Sequence, residues 1–217
     1  GKEMFANSQN LKSVSLGNVT TIGESAFYNC KMLEAIIMQK VKKIGDSAFA
    51  LCELIQSVPT SSVESIGKRA FSGCKQLEDV DLSSLTAISN YTFLNCTNLS
   101  IVNFGESVTT IGTGAFSGCA AIRSINLKNV RVIKEKAFEG CENLQRIELP
   151  RVVTIGKGAF SGCKNISQVD LKNVREIGPK AFEGCENLRI INLSKSASVS
   201  KDSFAGCKNL KDIEKTK

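Results

Sequence analysis

One residue recurs at an almost fixed interval along this chain of 217 residues, a phenylalanine that opens the same short motif each time. Ten phenylalanines stand at positions 5, 27, 49, 71, 93, 116, 138, 160, 182 and 204, with steps of 22 residues except for one step of 23. A period of roughly 20 to 50 residues is typical of solenoids and other repeat arrays. Because no aperiodic stretch remains for a second domain, we interpret residues 1–217 as a single array, truncated at both ends.

The repeat contains short apolar segments with different periods. One complete unit reads Ala137-Phe138-x-Gly140-Cys141-x-x-Leu144-x-x-Ile147-x-Leu149-x-x-Val152-x-x-Ile155-Gly156. The Ile147-x-Leu149 pair alternates at period two, which predicts a short strand with both side chains inward. The Val152-x-x-Ile155 segment is a candidate second extended piece, and Ala137-Phe138 predicts one helical or 3₁₀ turn that packing must hold.

A single unit cannot bury these apolar columns alone, whereas units stacked about 4.8 Å apart, as neighbouring strands are, can do so. The predicted fold is therefore an α/β repeat, a solenoid of about ten units of 22 residues. A parallel β-sheet is expected on one face, and short helical or 3₁₀ turns on the other.

Glycine and asparagine mark the expected turns. Nine of the ten positions that lie two residues after a phenylalanine hold Gly or Asn, which accept the left-handed conformation that ends a helical turn. Leu51 is the exception, and we predict a distorted turn there. A second glycine column, represented by Gly156, is interpreted as the turn from the extended piece into the helical one. The extra residue of the 23-residue step lies near Gly105 and Glu106, in the predicted loop after a strand.

Nine cysteines form another column, each three residues after a phenylalanine. Disulfides and metal ligation are the functional alternatives. An odd number does not pair completely, and a zinc site needs four converging ligands rather than a line. We interpret the column as buried free thiols that act as small apolar residues.

Residues that could carry out catalysis are scarce. The chain has no histidine, which excludes Ser-His and Cys-His pairs and histidine metal ligands. Neither a P-loop nor a G-x-G-x-x-G motif at a helix start is present. Carboxylates such as Asp79/Asp81 and Glu148/Asp170 are interpreted as solvating groups on an open sheet face. We therefore predict no catalytic, cofactor-binding or metal-binding residue and no cofactor.

The outward positions of the predicted strands are the candidate binding surface. They vary in size and charge while the inward columns barely change, which suits recognition but also a surface under no constraint. The candidate ligand-binding residues are Ile37, Asp79, Asp81, Ile101, Asn103, Asn126, Arg146, Glu148, Asp170, Ile190 and Asn192.

The net charge of +7 is unevenly placed, because residues 1–108 sum to −1 and residues 109–217 to +8. A predicted basic ridge consists of Lys128, Arg131, Lys134, Arg151, Lys172 and Arg175. It could bind an acidic polysaccharide such as a glycosaminoglycan, or it could be a solvated lysine-rich surface. Nucleic acid is disfavoured, because ten of the eleven phenylalanines belong to the core column and leave no stacking platform.

The unit from Ala181 to Leu193, AFEGCENLRIINL, resembles the repeat of the BspA-like leucine-rich-repeat family. The resemblance covers essentially the whole chain. It implies a cell-surface or secreted protein, since several members are adhesins that bind host matrix proteins or other cells. Family members often carry proline after the strand, whereas here only Pro59 and Pro150 lie near that place.

The expected function is therefore a non-enzymatic protein-binding or adhesion module whose ligand, a host matrix or cell-surface protein, lies on the strand face. The alternatives are an intracellular interaction scaffold, consistent with reduced cysteines, and the polyanion surface. No apolar run approaches the roughly 20 residues of a membrane span. Because neither end carries a polar cap, end-to-end self-association is a further expectation.

Overall fold

The computed structural model describes residues 1–216, apart from the side chains of Asp212, Glu214, Lys215 and Thr216. The chain winds as a parallel solenoid in which each unit contributes short strands joined by hydrogen-bonded turns. The first strand of a unit, which we call the front strand, comes from the segment predicted from period two. The front strands are β1 (Ser13–Ser15), β3 (Ala35–Ile37), β6 (Asp79–Asp81), β8 (Ile101–Asn103), β10 (Ser124–Asn126), β12 (Arg146–Glu148), β14 (Gln168–Leu171), β16 (Ile190–Ser194) and β18 (Asp212–Thr216).

The second extended piece is also formed, and its strands have two residues each. They are β2 (Thr21–Ile22), β4 (Lys43–Ile44), β5 (Ser65–Ile66), β7 (Ala87–Ile88), β9 (Thr110–Ile111), β11 (Val132–Ile133), β13 (Thr154–Ile155), β15 (Glu176–Ile177) and β17 (Ser198–Val199). In most of these strands one isoleucine is buried and its neighbour faces outward, as in Thr21–Ile22. The second set is therefore a structural layer rather than a loop.

The front sheet is less continuous than the second sheet. Front strands pair as β1–β3, β6–β8, β10–β12 and β14–β16–β18, whereas six second strands from β7 to β17 form one uninterrupted sheet. Pro59 stands one repeat after Ile37, at the same position of its unit. Because proline has no N–H, it cannot donate a hydrogen bond to the preceding strand. The break between β8 and β10 coincides with the extra residue, since Gly105 to Ser107 form the turn after β8. The predicted place of the insertion is confirmed.

The turn side differs from the sequence-based expectation. No helix or 3₁₀ segment occurs in residues 1–216. Ser25 and Asn29, on either side of Phe27, have φ of 52° and 56°, and left-handed residues at this spacing prevent a continuous right-handed turn. Phe27 N donates to Ala48 O of the next unit at 2.8 Å, while Cys30 N donates to Phe27 O at 3.2 Å. Along this segment, backbone hydrogen bonds within one unit therefore alternate with hydrogen bonds to the next unit.

The predicted distortion at Leu51 is wrong. Leu51 has φ of 63°, close to the 56° of Asn29 and the 75° of Gly73 in the same column. Its N–H donates to Ser72 O at 2.7 Å, as the neighbouring units do at this position. Stacking between units thus imposes the left-handed conformation on a leucine, at a local cost of about 1–2 kcal/mol.

The second glycine column has a different cause from the one expected. Gly156 has no positive φ, but a Cβ atom built on it would lie 2.7 Å from Glu135 N in the preceding unit. Gly45 and Gly178 show the same approach, with backbone atoms of the preceding unit 2.7 Å away. The column is therefore required because adjacent units pack backbone against backbone.

The core is a set of residue columns that run the length of the array. Consecutive rings of the phenylalanine column stack with centroids 5.2 to 5.5 Å apart and planes within 16° of parallel. The eleventh, Phe104, replaces the usual leucine of its column and packs edge-on against Phe116 at 5.5 Å. This continuous core joins all units described.

Candidate binding surface

The cysteine column carries reactive atoms, but the structure holds them inside. Cys52 and Cys96 are fully buried, and their thiols donate to the carbonyl oxygens of Phe27 and Phe71 in the preceding unit at 3.0 and 3.1 Å. Burial raises the pKa of Cys52 to about 12 and that of Cys96 well above its ordinary value. The interpretation as buried free thiols is confirmed, and Cys207 alone is only half-buried. A thiol kept neutral in this way is a poor nucleophile.

All eleven candidate ligand-binding residues lie on front strands, where nine are exposed and two, Asp81 and Asn192, are half-buried. We call this outward side of the front strands the strand face. Burial alternates along each strand, as in β3, where Ile36 is buried between the exposed Ala35 and Ile37. The pleat thus places the variable positions outward and the uniform positions in the core.

Strand pairing brings some of these residues together. Asp79 lies opposite Ile101, and Asp81 opposite Asn103, in the β6–β8 pair. Asn103 Nδ2 also donates to Asp81 Oδ1 at 3.2 Å. Asp170 lies opposite Asn192 in the β14–β16 pair.

The remaining candidates are distributed along the array. Asn126 and Glu148 are opposite one another in the β10–β12 pair, where Arg146 is also located. Ile37 lies on β3, on the other side of the break at Pro59. The candidates therefore form local groups rather than one continuous site.

The six residues of the predicted basic ridge are all exposed, but they occupy two kinds of position. Lys128, Arg151 and Lys172 lie in the turns after front strands, and each contacts a neighbour. Arg131 and Arg175 precede second strands, whereas Lys134 follows one.

Three residues of the ridge are engaged by the chain itself. Lys128 Nζ is 3.2 Å from Glu106 Oε1, and Lys172 Nζ is 3.0 Å from Asp170 Oδ2. The hydrogen bond from Lys128, together with one from Asn129, lowers the pKa of Glu106. Arg151 donates to Asn129 Oδ1 at 3.0 Å. The two ion pairs reduce the positive charge that Lys128 and Lys172 offer to a polyanion, whereas Arg151 contacts a neutral amide and keeps its charge.

The sequence analysis did not single out Glu78 and Arg123, two exposed charged residues that directly precede β6 and β10. Variation from unit to unit, which identified the outward strand positions, could also have identified these two residues. The residue before each front strand also varies in charge along the array, from Glu34 to Gln56, Glu78, Ser100 and Arg123.

Two surface depressions open where front strands are not hydrogen-bonded to each other. The first has about 190 Å³, lies between β8 and β10, and is lined by Val102, Asn103, Phe104, Gly105, Glu106, Asn126 and Lys128. The second has about 300 Å³, lies between β12 and β14, and is lined by Ile147, Glu148, Leu149, Pro150, Asp170, Lys172 and Asn173. Both are shallow depressions rather than enclosed clefts.

Within residues 1–216 no group of three or more Cys, Asp or Glu side chains could hold a metal ion. The same part of the chain contains no helix with the length and apolar character of a membrane span.

A solenoid of short parallel strands with an exposed, variable strand face defines a leucine-rich-repeat protein. The family described as BspA type Leucine rich repeat region, in six copies, matches residues 1–123 and 115–217. The chain belongs to this family, and the resemblance stated from its repeat is confirmed. No curated protein sequence matches it.

Solved structures of bacterial leucine-rich-repeat proteins are similar to this chain. One from Bacteroides ovatus is 29% identical with a TM-score of 0.90, and the match covers 98% of this chain and 57% of that one. A leucine rich cell surface protein from Faecalibacterium prausnitzii is 26% identical with a TM-score of 0.52, over 100% and 82% of the two chains. The leucine-rich-repeat protein of T. pallidum is 25% identical with a TM-score of 0.50, over 93% and 79%. This chain thus spans little more than half of the Bacteroides protein.

Proposed function

We propose that this chain is a non-enzymatic protein-binding module of a cell-surface or secreted protein, and that its ligand contacts the strand face. The ligand would be a host matrix protein or a cell-surface protein. The observation that carries the proposal is the contrast between the two sides of each front strand. Inward residues such as Ile36 and Val80 are buried and nearly uniform along the array, whereas outward residues change in charge and size from unit to unit.

The architecture supports this role physically. Stacked units present an extended surface whose backbone is already ordered by hydrogen bonds between neighbours, so a ligand does not have to order it on binding. The similar Faecalibacterium structure is described as a cell surface protein, which supports the proposed location.

The test immobilises the chain and measures binding of a panel of purified extracellular-matrix proteins by surface plasmon resonance at physiological salt. Two strand-face variants are compared with the wild type, Asp79→Ser with Asp81→Ser, and Glu148→Ser with Asp170→Ser. The matched control is Lys31→Ser with Lys201→Ser, because both lysines are exposed and lie outside the front strands.

For a matrix protein that binds, we expect at least one strand-face variant to raise Kd by roughly tenfold, as loss of a central contact does. The control should change Kd by less than about twofold. Equal effects of both kinds of variant, or no binding by any matrix protein, would contradict the proposal.

A further inference from the structure

Two groups of charge of opposite sign flank one exposed isoleucine on the strand face. Asp79 in β6 lies opposite Ile101 in β8, and Glu78 directly precedes Asp79. On the other side of Ile101, Arg123 directly precedes β10, and Arg146 lies in β12 opposite Ser124. Counted in repeats along the array, the acidic pair is one unit from Ile101 and the arginines are one and two units away.

These four charges differ from many charges in the turns. In the turns, charges of neighbouring units are matched, as in Lys75 with Glu53 at 3.0 Å and Lys164 with Glu142 at 2.9 Å. Within the described residues, the side chains of Glu78, Asp79, Arg123 and Arg146 make no ion pair and no hydrogen bond. The chain therefore leaves an acidic and a basic patch separated on one face, where a partner can complement both.

Ile101 is the apolar centre between the patches. Its side chain is 65% exposed, the largest value among the exposed large apolar residues described. The depression of about 190 Å³ between β8 and β10 opens beside it, lined in part by Asn103 and Phe104. An isoleucine next to such a depression offers apolar surface that a partner side chain can cover.

We infer that this surface binds a protein segment that runs along the solenoid axis and carries three features in order. A basic side chain lies against Glu78 and Asp79, an apolar side chain covers Ile101, and an acidic side chain lies against Arg123 and Arg146. An apolar anchor surrounded by complementary charge is the usual arrangement of an energetic centre in an interface. The inference rests on the proposed protein-binding function and names the chemistry of the partner.

The test pans a displayed library of random peptides of 12 residues in parallel on the wild-type chain and on three variants. Ile101→Ser removes the apolar centre, and Glu78→Lys with Asp79→Lys makes the whole surface basic. Met32→Ser is the control, since Met32 is also apolar, is 38% exposed and lies outside the front strands. All four positions are exposed, so circular dichroism should show unchanged folding.

Peptides enriched on the wild type are expected to contain an apolar residue between a basic and an acidic residue. Their recovery should fall by roughly tenfold or more on Ile101→Ser and stay within about twofold on Met32→Ser. On the double lysine variant, enriched peptides should carry acidic residues on both sides.

Enrichment of peptides without this pattern, no enrichment, or recovery that is unchanged on Ile101→Ser would overturn the inference. Peptides whose recovery falls on Met32→Ser and not on Ile101→Ser would overturn it too. The proposed function would fail separately, if the strand-face variants left matrix-protein binding unchanged.

Discussion

Glycine occupies two columns of the repeat for two different physical reasons. Gly140 has φ of 71°, and a Cβ atom there would meet nothing closer than 3.8 Å. Gly156 has an ordinary φ, but a Cβ atom there would lie 2.7 Å from Glu135 N. The first glycine is required by its own backbone conformation, and the second by the backbone of the preceding unit.

This difference makes a prediction for substitutions. Gly140→Ala is expected to lower the free energy of unfolding by about 1–2 kcal/mol through left-handed strain alone. Gly156→Ala is expected to cost about 1–3 kcal/mol, because a rigid neighbouring backbone must move. Urea denaturation followed by circular dichroism measures both values.

Substitution by asparagine distinguishes left-handed strain from a clash with the neighbouring backbone. Gly140→Asn should destabilise less than Gly140→Ala, since asparagine tolerates positive φ, as Asn29 and Asn95 do in the same column. Gly156→Asn should be no better than Gly156→Ala, because its Cβ atom meets the same obstacle. Equal rescue at both positions would contradict this explanation.

The buried thiols make stability depend on pH in the alkaline range. Burial raises the pKa of Cys52 to about 12 and those of Cys74 and Cys96 well above the ordinary value. An unfolded thiol titrates near 8.5, so above that pH the unfolded chain binds fewer protons than the folded chain. Stability is thus fully present below about pH 8.5 and is lost as the pH rises toward 12.

Cys52, Cys74 and Cys96 should each remove about 1.4 kcal/mol of unfolding free energy per pH unit once the unfolded thiols are ionised. The measurement is the urea midpoint at several pH values above neutrality. Cys74→Ala removes the contribution of one thiol, so the urea midpoint should fall less steeply with pH than in the wild type. Cys207→Ala should change it less, because Cys207 is only half-buried. A midpoint that does not fall with pH would disprove the role of burial.

At the scale of the element, the sequence predicts what burial controls. Apolar periodicity locates the inward residues of both strands, such as Ile147 and Ile155, because each must face the core in every unit. It also identifies the outward candidates, since the pleat fixes the side on which they lie.

The continuity of pairing is not predictable in the same way. The break between β8 and β10 coincides with an extra residue near Gly105, which leaves the hydrophobic pattern unaltered. Likewise, Ser25 and Lys136 adopt positive φ of 52° and 57°, although neither residue type favours it. Tertiary stacking overrides local preference there, so the predicted helical turn is not found.

Across the whole molecule, each unit contacts its neighbours and little else. The stability of such an array is the sum of weak intrinsic terms for each unit and favourable terms for each interface. The phenylalanine column supplies a large part of these interface terms. Phe116 packs between Phe93 and Phe138 with centroids 5.3 Å away on both sides, and Phe104 contacts its edge.

Phe116→Ala should therefore divide the array. We expect it to cost about 3–5 kcal/mol and to weaken both interfaces of the central unit, so that the two halves unfold separately.

Two spectroscopic probes can follow the two parts of the array. Both tyrosines, Tyr28 and Tyr91, precede Phe116, and the chain has no tryptophan, so tyrosine fluorescence reports only on the first half. Far-ultraviolet circular dichroism reports on the whole chain. The two probes should give one common urea transition for the wild type and two separate midpoints for Phe116→Ala. Phe204→Ala is the control, because among the described residues Phe204 stacks only on Phe182, and its loss should leave the transitions coincident. Coincident transitions in Phe116→Ala would show that the halves are coupled through the sheets rather than through the phenylalanine column.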